Sequence, residues 1–333
     1  MPEDLEAWLA QHTEQAIDPE LPICDPHHHL WDRPGNRYLP QDLLRDLGGG
    51  HRITRTVFLE CSTGYRLDGP ESLKPVGETE FVVEETALFG PTSGKGTEVA
   101  AGIVGFADLR LGRKVALVLE AHIEAGEGRF RGIRHSAAVN LEAGLKGYKT
   151  PPQGLLLDPT FREGFSCLKQ YGLSFDCWAY HPQLVEVVDL ARAFPDVPIV
   201  LDHIGGPIGI GPYAGKRDEV YQAWKWGIDE LATCPNVAIK LGGLGMPFCN
   251  MGWHDSPEPP TSSDLAKSMA PYYMSCIEQF GPDRCMFESN FPVDKVSFSY
   301  TVLWNAFKRL AEDFTPSEKA ALFHGTAEWF YRL

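Results

Sequence analysis

Three imidazoles stand in a row in the string Asp25-Pro26-His27-His28-His29-Leu30-Trp31-Asp32. In an extended segment side chains alternate, so His27 and His29 share one face and His28 points to the other. Two imidazoles aimed from one strand end into a common mouth suit a divalent metal or an anionic transition state; the plainer alternative is a polar turn. His203 ends another apolar run, Leu201-Asp202-His203, and its plainer reading is a core histidine bonded to backbone. Glu60 closes Leu59-Glu60-Cys61. A charge at the end of an apolar strand needs a partner, either a metal shared with His27 and His29 or a salt bridge.

Other groups gather near the ends of further apolar runs. Arg131, Arg134 and His135 belong to one run, Phe130–His135, where alternation places Arg131 and His135 opposite Arg134, so only one set points inward. Arg134 could hold a substrate carboxylate bidentately. Lys240 lies in Asn236–Leu241. Asn290, near the end of the last run, can accept a hydrogen bond or ligate weakly but cannot take a proton at neutral pH. Glu288, two positions earlier, is expected on the same face, where it could pair with Lys240 or Arg134. Tyr180 and His181 are expected at the mouth, and Tyr65, Trp178, Phe248, Trp253 and Phe291 could wall a pocket for a cyclic substrate.

What positions these groups is a regular alternation. Eight strand candidates (21–29, 53–61, 99–107, 130–135, 173–180, 197–203, 236–241 and 284–290) are separated by helical periodicities at 78–88, 114–127, 158–171, 183–194, 217–233, 264–280 and 300–311. Asp158-Pro159 reads as an N-cap with Pro inside the first turn, Pro182 as a second such start, and Thr315-Pro316-Ser317-Glu318 as the start of a terminal helix over 315–333. Eight βα units predict parallel strands closed into a (β/α)8 TIM barrel of one domain, residues 1–333, with an N-terminal extension over 1–20. An open doubly wound sheet would carry a glycine-rich phosphate turn after the first strand, where the histidines stand instead. Pro/Gly-rich segments 62–78, 145–157, 204–216 and 242–262 fall after strands, on the face where barrel enzymes build their sites.

Composition narrows the partners. With 30 Lys+Arg against 45 Asp+Glu the formal charge is −15, which argues against nucleic acid and anionic membrane. No stretch has the roughly 18 apolar residues of a membrane helix, and the first 20 residues lack the basic and apolar regions of a secretory leader, so the expected location is the cytoplasm. The eight cysteines form no CxxC pair and read as reduced, buried small hydrophobes. No GxSxG elbow occurs. A small-molecule substrate is expected, and homo-oligomer formation stays open.

In DPHHHLWD (25–32), FRGIRH (130–135), LDHIGGP (201–207), IKLGG (239–243), ESNFPVD (288–294) and HGTAEWFYRL (324–333), the chain resembles the amidohydrolase superfamily, specifically its amidohydrolase-2 branch, related to pyrone-dicarboxylate and sugar-acid lactonases. The resemblance implies a barrel hydrolase that opens a small, carboxylate-bearing lactone. His27, His29 and His203 would bind a divalent metal (Zn or Mn) or polarise the carbonyl without one. Where the family commonly carries GSDWP, this chain reads Glu288-Ser289-Asn290-Phe291-Pro292: a carboxylate is lost at 290 and another gained at 288, and Glu288 or Asp294 would supply the negative charge that the eighth strand usually carries. Rival readings are a metal-dependent non-oxidative decarboxylase of an aromatic or unsaturated acid, and a non-catalytic ligand-binding barrel.

Overall fold

The computed structural model describes residues 4–87, 96–147 and 149–333. Eight strands form one parallel sheet in chain order: β1 (Pro22–His28), β2 (Arg52–Leu59), β3 (Glu98–Gly105), β4 (Phe130–Arg134), β5 (Ser174–Cys177), β6 (Ile199–Leu201), β7 (Val237–Leu241) and β8 (Cys285–Phe287). β8 returns to β1 through the backbone just beyond it. The Asn290 amide donates to the His27 carbonyl at 3.0 Å, and the His29 amide donates to the Phe291 carbonyl at 2.8 Å. The (β/α)8 barrel expected from the alternation is the fold observed.

Helices follow the strands. Those at 116–125, 159–171, 184–193, 217–232, 262–280 and 300–310 lie within two residues of their expected bounds. The helix expected over 78–88 spans Val76–Thr86, and Leu88 lies outside the described residues. Capping explains several starts: Asp158 accepts from the Phe161 amide with Pro159 in the first turn, and Thr315 and Glu318 exchange bonds in a capping box. Two expectations need correction. Pro182 opens only a 3-10 turn, His181–Gln183, ahead of the helix Leu184–Ala193; the terminal helix is divided into Pro316–Ala320, a π turn at Ala321–Gly325, and Thr326–Tyr331.

Strand periodicity sorts the core into two layers. Phe58, Ile103, Ile133, Phe175, Ile199, Ile239 and Phe287 face the helices. Inside the barrel, Val57, Val104, Val200, Ala238 and Met286 pack against Ala327, Phe330 and Tyr331, so the last helix closes the floor. The N-terminal extension docks through Trp8, whose indole donates to the carbonyls of Ser256 and Pro257; residues 1–3 lie outside the described set. All eight cysteines are unpaired and seven are buried. Among the described residues no helix is long and apolar enough to cross a membrane.

Above the floor the interior turns polar. The Tyr331 hydroxyl donates to Asp176 at 2.6 Å, and the fully buried Lys240 bridges Asp176 at 2.7 Å and Asp202 at 3.0 Å. Removing the phenol should deprive a buried carboxylate of a short hydrogen bond. Tyr331→Phe is expected to lower unfolding free energy by about 1–3 kcal/mol in urea denaturation, and an unchanged midpoint would show the bond to be neutral.

Candidate active site

Directly above Lys240, one carboxylate holds two imidazoles. Glu288 places Oε2 2.7 Å from His27 Nδ1 and Oε1 2.7 Å from His203 Nδ1, and also accepts from the His203 backbone amide at 3.0 Å. The His203 contact is a hydrogen bond, which puts the proton on His203 Nδ1 and leaves its Nε2 with a lone pair. His27 is enclosed by charge: its Nδ1 also lies 3.3 Å from Lys240 Nζ, and its Nε2 lies 3.3 Å from Arg134 Nη1. His29 is fixed in the same tautomer as His203 by its Nδ1 donating to the Leu59 carbonyl at 2.8 Å.

Local backbone makes this grip. The site end of β7 is Leu241-Gly242-Gly243 because side chains there would collide with it: a Cβ on Gly242 would lie 2.3 Å from Glu288 Cγ, and one on Gly243, already at φ +77°, 2.4 Å from His203 Cβ. His203 and Asn290 have φ of 54° and 56°, a left-handed conformation that costs non-glycine residues about 1 kcal/mol or more. β8 ends at Phe287, so Glu288 and Asn290 do not continue its alternation. Glu288 turns to the histidines. Asn290 faces the mouth cavity, and its Nδ2 donates to Asp294 Oδ1 at 2.8 Å.

Burial decides protonation. It holds His27 and His29 well below the ordinary imidazole range, reinforced for His27 by the ammonium of Lys240 and for His29 by the guanidinium of Arg134, so both are neutral. Burial alone would discharge Lys240, but Asp176, Asp202 and Glu288 hold it charged. Asp202 is pulled below the carboxylate range by Lys240, His203 and Arg134 despite its burial. Asp294 is pushed up to about 7 by burial, against His203 and the bonds from Asn290 and the Gly245 amide and with Glu288.

A cavity of about 260 Å³ opens above, lined by His29, Trp31, Arg33, Cys61, Arg134, Trp178, His203, Met246, Asn290 and Val293. Arg134, Asn290 and the histidines therefore meet. Others serve elsewhere. Glu60 gives one oxygen to Arg134 and the other to Lys149, each at 3.0 Å, the salt-bridge alternative. Glu288 pairs with histidines and not with Lys240 or Arg134. Lys240 lies below the cavity, and Arg131 bonds the carbonyls of Gly128 and Phe130. The alternation argument for β4 misses a register shift opposite Ile103/Val104. His135 accepts from the Leu109 amide and packs on Phe106 and Phe161; His181 accepts from the Ile208 amide. Trp253 packs on Phe298, Tyr65 contacts Lys149, and Tyr180 backs Trp178. Sequence reasoning passed over Asp176, Asp202, Trp31 and Arg33, although two acids in apolar strands were a signal of the same kind as Glu60.

The donor set fits a divalent ion. The Nε2 atoms of His27 and His29 lie 3.3 Å apart. Two imidazoles on a tetrahedral zinc at 2.0–2.1 Å would be separated by about the same distance. His27, His203 and Glu288 also bring ligand atoms within 4.8 Å of one another, so His27 is common to both candidate donor sets.

A family model described as amidohydrolase (Amidohydro_2) matches residues 24–333. The chain belongs to the amidohydrolase family. A Sinorhizobium fredii protein, y4mH, is 35% identical over 94% of this chain and 99% of its own length. An L-fucono-1,5-lactonase of Burkholderia ambifaria is 26% identical over 93% of this chain and 95% of its own. Among solved structures, an amidohydrolase from Burkholderia multivorans with bound zinc superposes at a TM-score of 0.71, with 23% identity over 93% of this chain and 99% of that one.

Two outcomes follow for this amidohydrolase. Gly242→Ala should displace Glu288 and reduce kcat by roughly 100-fold with the fold retained, read by steady-state kinetics beside circular dichroism. For Asp294, a folded-state pKa near 7 against 3.8 in the unfolded chain means stability present below about pH 4 and lost as pH rises to about 7. The Tm of Asp294→Asn relative to the parent should therefore climb between pH 4 and 7 and level off above; a pH-independent difference would contradict it.

Proposed function

We propose that this amidohydrolase opens a small lactone by water attack on the ring carbonyl. The observation that carries the reading is the carboxylate of Glu288 held against both His203 and His27 at 2.7 Å. With Nδ1–H directed at Glu288, His203 presents Nε2 as a base towards the cavity, and the carboxylate stabilises the imidazolium that forms. Asn290, its Nδ2 engaged by Asp294, offers its amide oxygen as an acceptor for the attacking water. His203 takes one proton from that water, its oxygen bonds the carbonyl carbon, and the ring C–O bond breaks. The same proton then passes from His203 to the leaving alkoxide, giving a hydroxy acid.

Negative charge collecting on the carbonyl oxygen needs preorganised positive charge. Arg134, fixed by Glu60 and by Asp202 at 3.5 Å, supplies it beside His27. His27 and His29 would hold a divalent ion, zinc or manganese, which when bound acts as a Lewis acid on that oxygen. The lactonase names among the relatives and the zinc in a structural neighbour support this reading. A wall of Trp31, Trp178, Met246 and Val293 suits a small ring.

Ring opening of five- and six-membered lactones, followed as acid release, tests the reading. Turnover is expected in the parent, and Glu288→Gln, which keeps shape but loses charge, should lower kcat by about 10³- to 10⁴-fold with little change in KM. Absence of turnover on every lactone while aromatic acids release carbon dioxide would move the assignment to decarboxylation; full activity in Glu288→Gln would remove the base assignment. Elemental analysis of protein purified without chelator is expected to find a divalent ion that His29→Ala loses.

A further inference from the structure

The alternation that brings His27 and His29 together continues past the strand. Trp31 and Arg33 are the next two residues at the same spacing, on the first arm of a short hairpin, Trp31–Arg33 paired with Asn36–Tyr38. The rings follow one another outwards, the first pair edge-on. His27 and His29 meet at 5.0 Å, His29 and Trp31 lie nearly parallel at 6.3 Å, and the guanidinium of Arg33 sits over the Trp31 ring at 4.8 Å. One extended segment thus runs as a ladder from the site's floor to its rim and ends in a cation.

That cation differs from the others near the site. Arg134 is bound to Glu60 and Asp202, Lys240 to Asp176 and Asp202, and Lys149 to Glu60. Among the described residues no carboxylate is ion-paired with Arg33. One of its five N–H donors is given to the Cys61 carbonyl, and Trp31 fixes its plane. Arg33 lines the same cavity as His29, His203 and Asn290. Arg33 is exposed at the rim, and a guanidinium oriented there by one donor and one ring face leaves the rest of its fork open to solvent and to a planar oxyanion. In a chain of formal charge −15 it also marks where an anion can be accepted locally.

We propose that Arg33 is a specificity-determining residue that docks a carboxylate carried by the substrate, the ring lying between it and the histidines. The inference rests on the cavity being the substrate site, and it places the carboxylate of the carboxylate-bearing lactone expected from the sequence at the rim, at the end remote from the reacting carbonyl. Arg134, which the sequence offers for that task, is left to the carbonyl end.

The test uses ligands that cannot be hydrolysed, so that it does not depend on lactone opening. Calorimetric titration with a five- or six-membered lactam carboxylate and with the matching primary amide gives the discrimination between charged and neutral forms. The parent is expected to prefer the carboxylate by about tenfold or more, Arg33→Met to lose that preference, and Arg33→Lys to keep part of it. Equal binding of the two ligands by the parent, no binding of either, or full discrimination retained in Arg33→Met would overturn the proposal. If discrimination follows Arg33 while no lactone is turned over, the docking role stands and the lactonase reading fails. If lactones are opened but the preference ignores Arg33, the reverse holds.

Discussion

Buried carboxylates in the middle of a closed barrel are the constraint on which the rest of this structure depends. Asp176, Asp202, Glu60 and Glu288 are all fully buried, and each would be expensive if left unpaired. The cations present are Lys240, Arg134 and Lys149. Of the four carboxylates, Glu288 has no Lys or Arg contact; it accepts from the ring and backbone amide of His203 and lies 2.7 Å from His27. Replacing one member would disturb more than its own contact, since Lys240 touches Asp176, Asp202 and His27 together.

The floor and the mouth are connected by this network. Tyr331 belongs to the last helix, whose apolar face seals the barrel bottom, while its hydroxyl reaches Asp176 beneath the histidines. At the other end, the hairpin after β1 carries Trp31 and Arg33 over the opening. The chain thus uses segments outside the eight βα units to finish both ends of a site whose centre the strands provide.

Much of this was legible in the residues. All eight strands were visible as apolar runs bounded by turn signals, and the histidines as polar groups ending such runs. What could not be read was which buried partner each charge takes. Glu288 looked equally suited to Lys240, and Arg134 to a substrate carboxylate, because strand spacing gives a face and a depth but not the neighbour across the barrel. In β4 the alternation places Arg134 at the cavity and His135 on the opposite side against Phe106 and Phe161, while a register shift against β3 takes Arg131 out of strict alternation. Trp31 and Arg33 continue the spacing of two beyond the third histidine, but they lie past the end of β1 on a separate short strand, which no apolar run announces.

The departure at position 290 has a physical reason of the same kind. Asn290 stands 2.8 Å from Asp294, whose other oxygen accepts from the Gly245 amide and whose carboxyl also feels Glu288. An aspartate at 290 would place a third acid beside Glu288 and Asp294 in a space already dry, where like charges at hydrogen-bond distance cannot both ionise. An amide turns that repulsion into a donated hydrogen bond and lets Asp294 stay. A single carboxylate, Glu288, then stands against His203 and His27, with a neutral amide at 290 between it and Asp294.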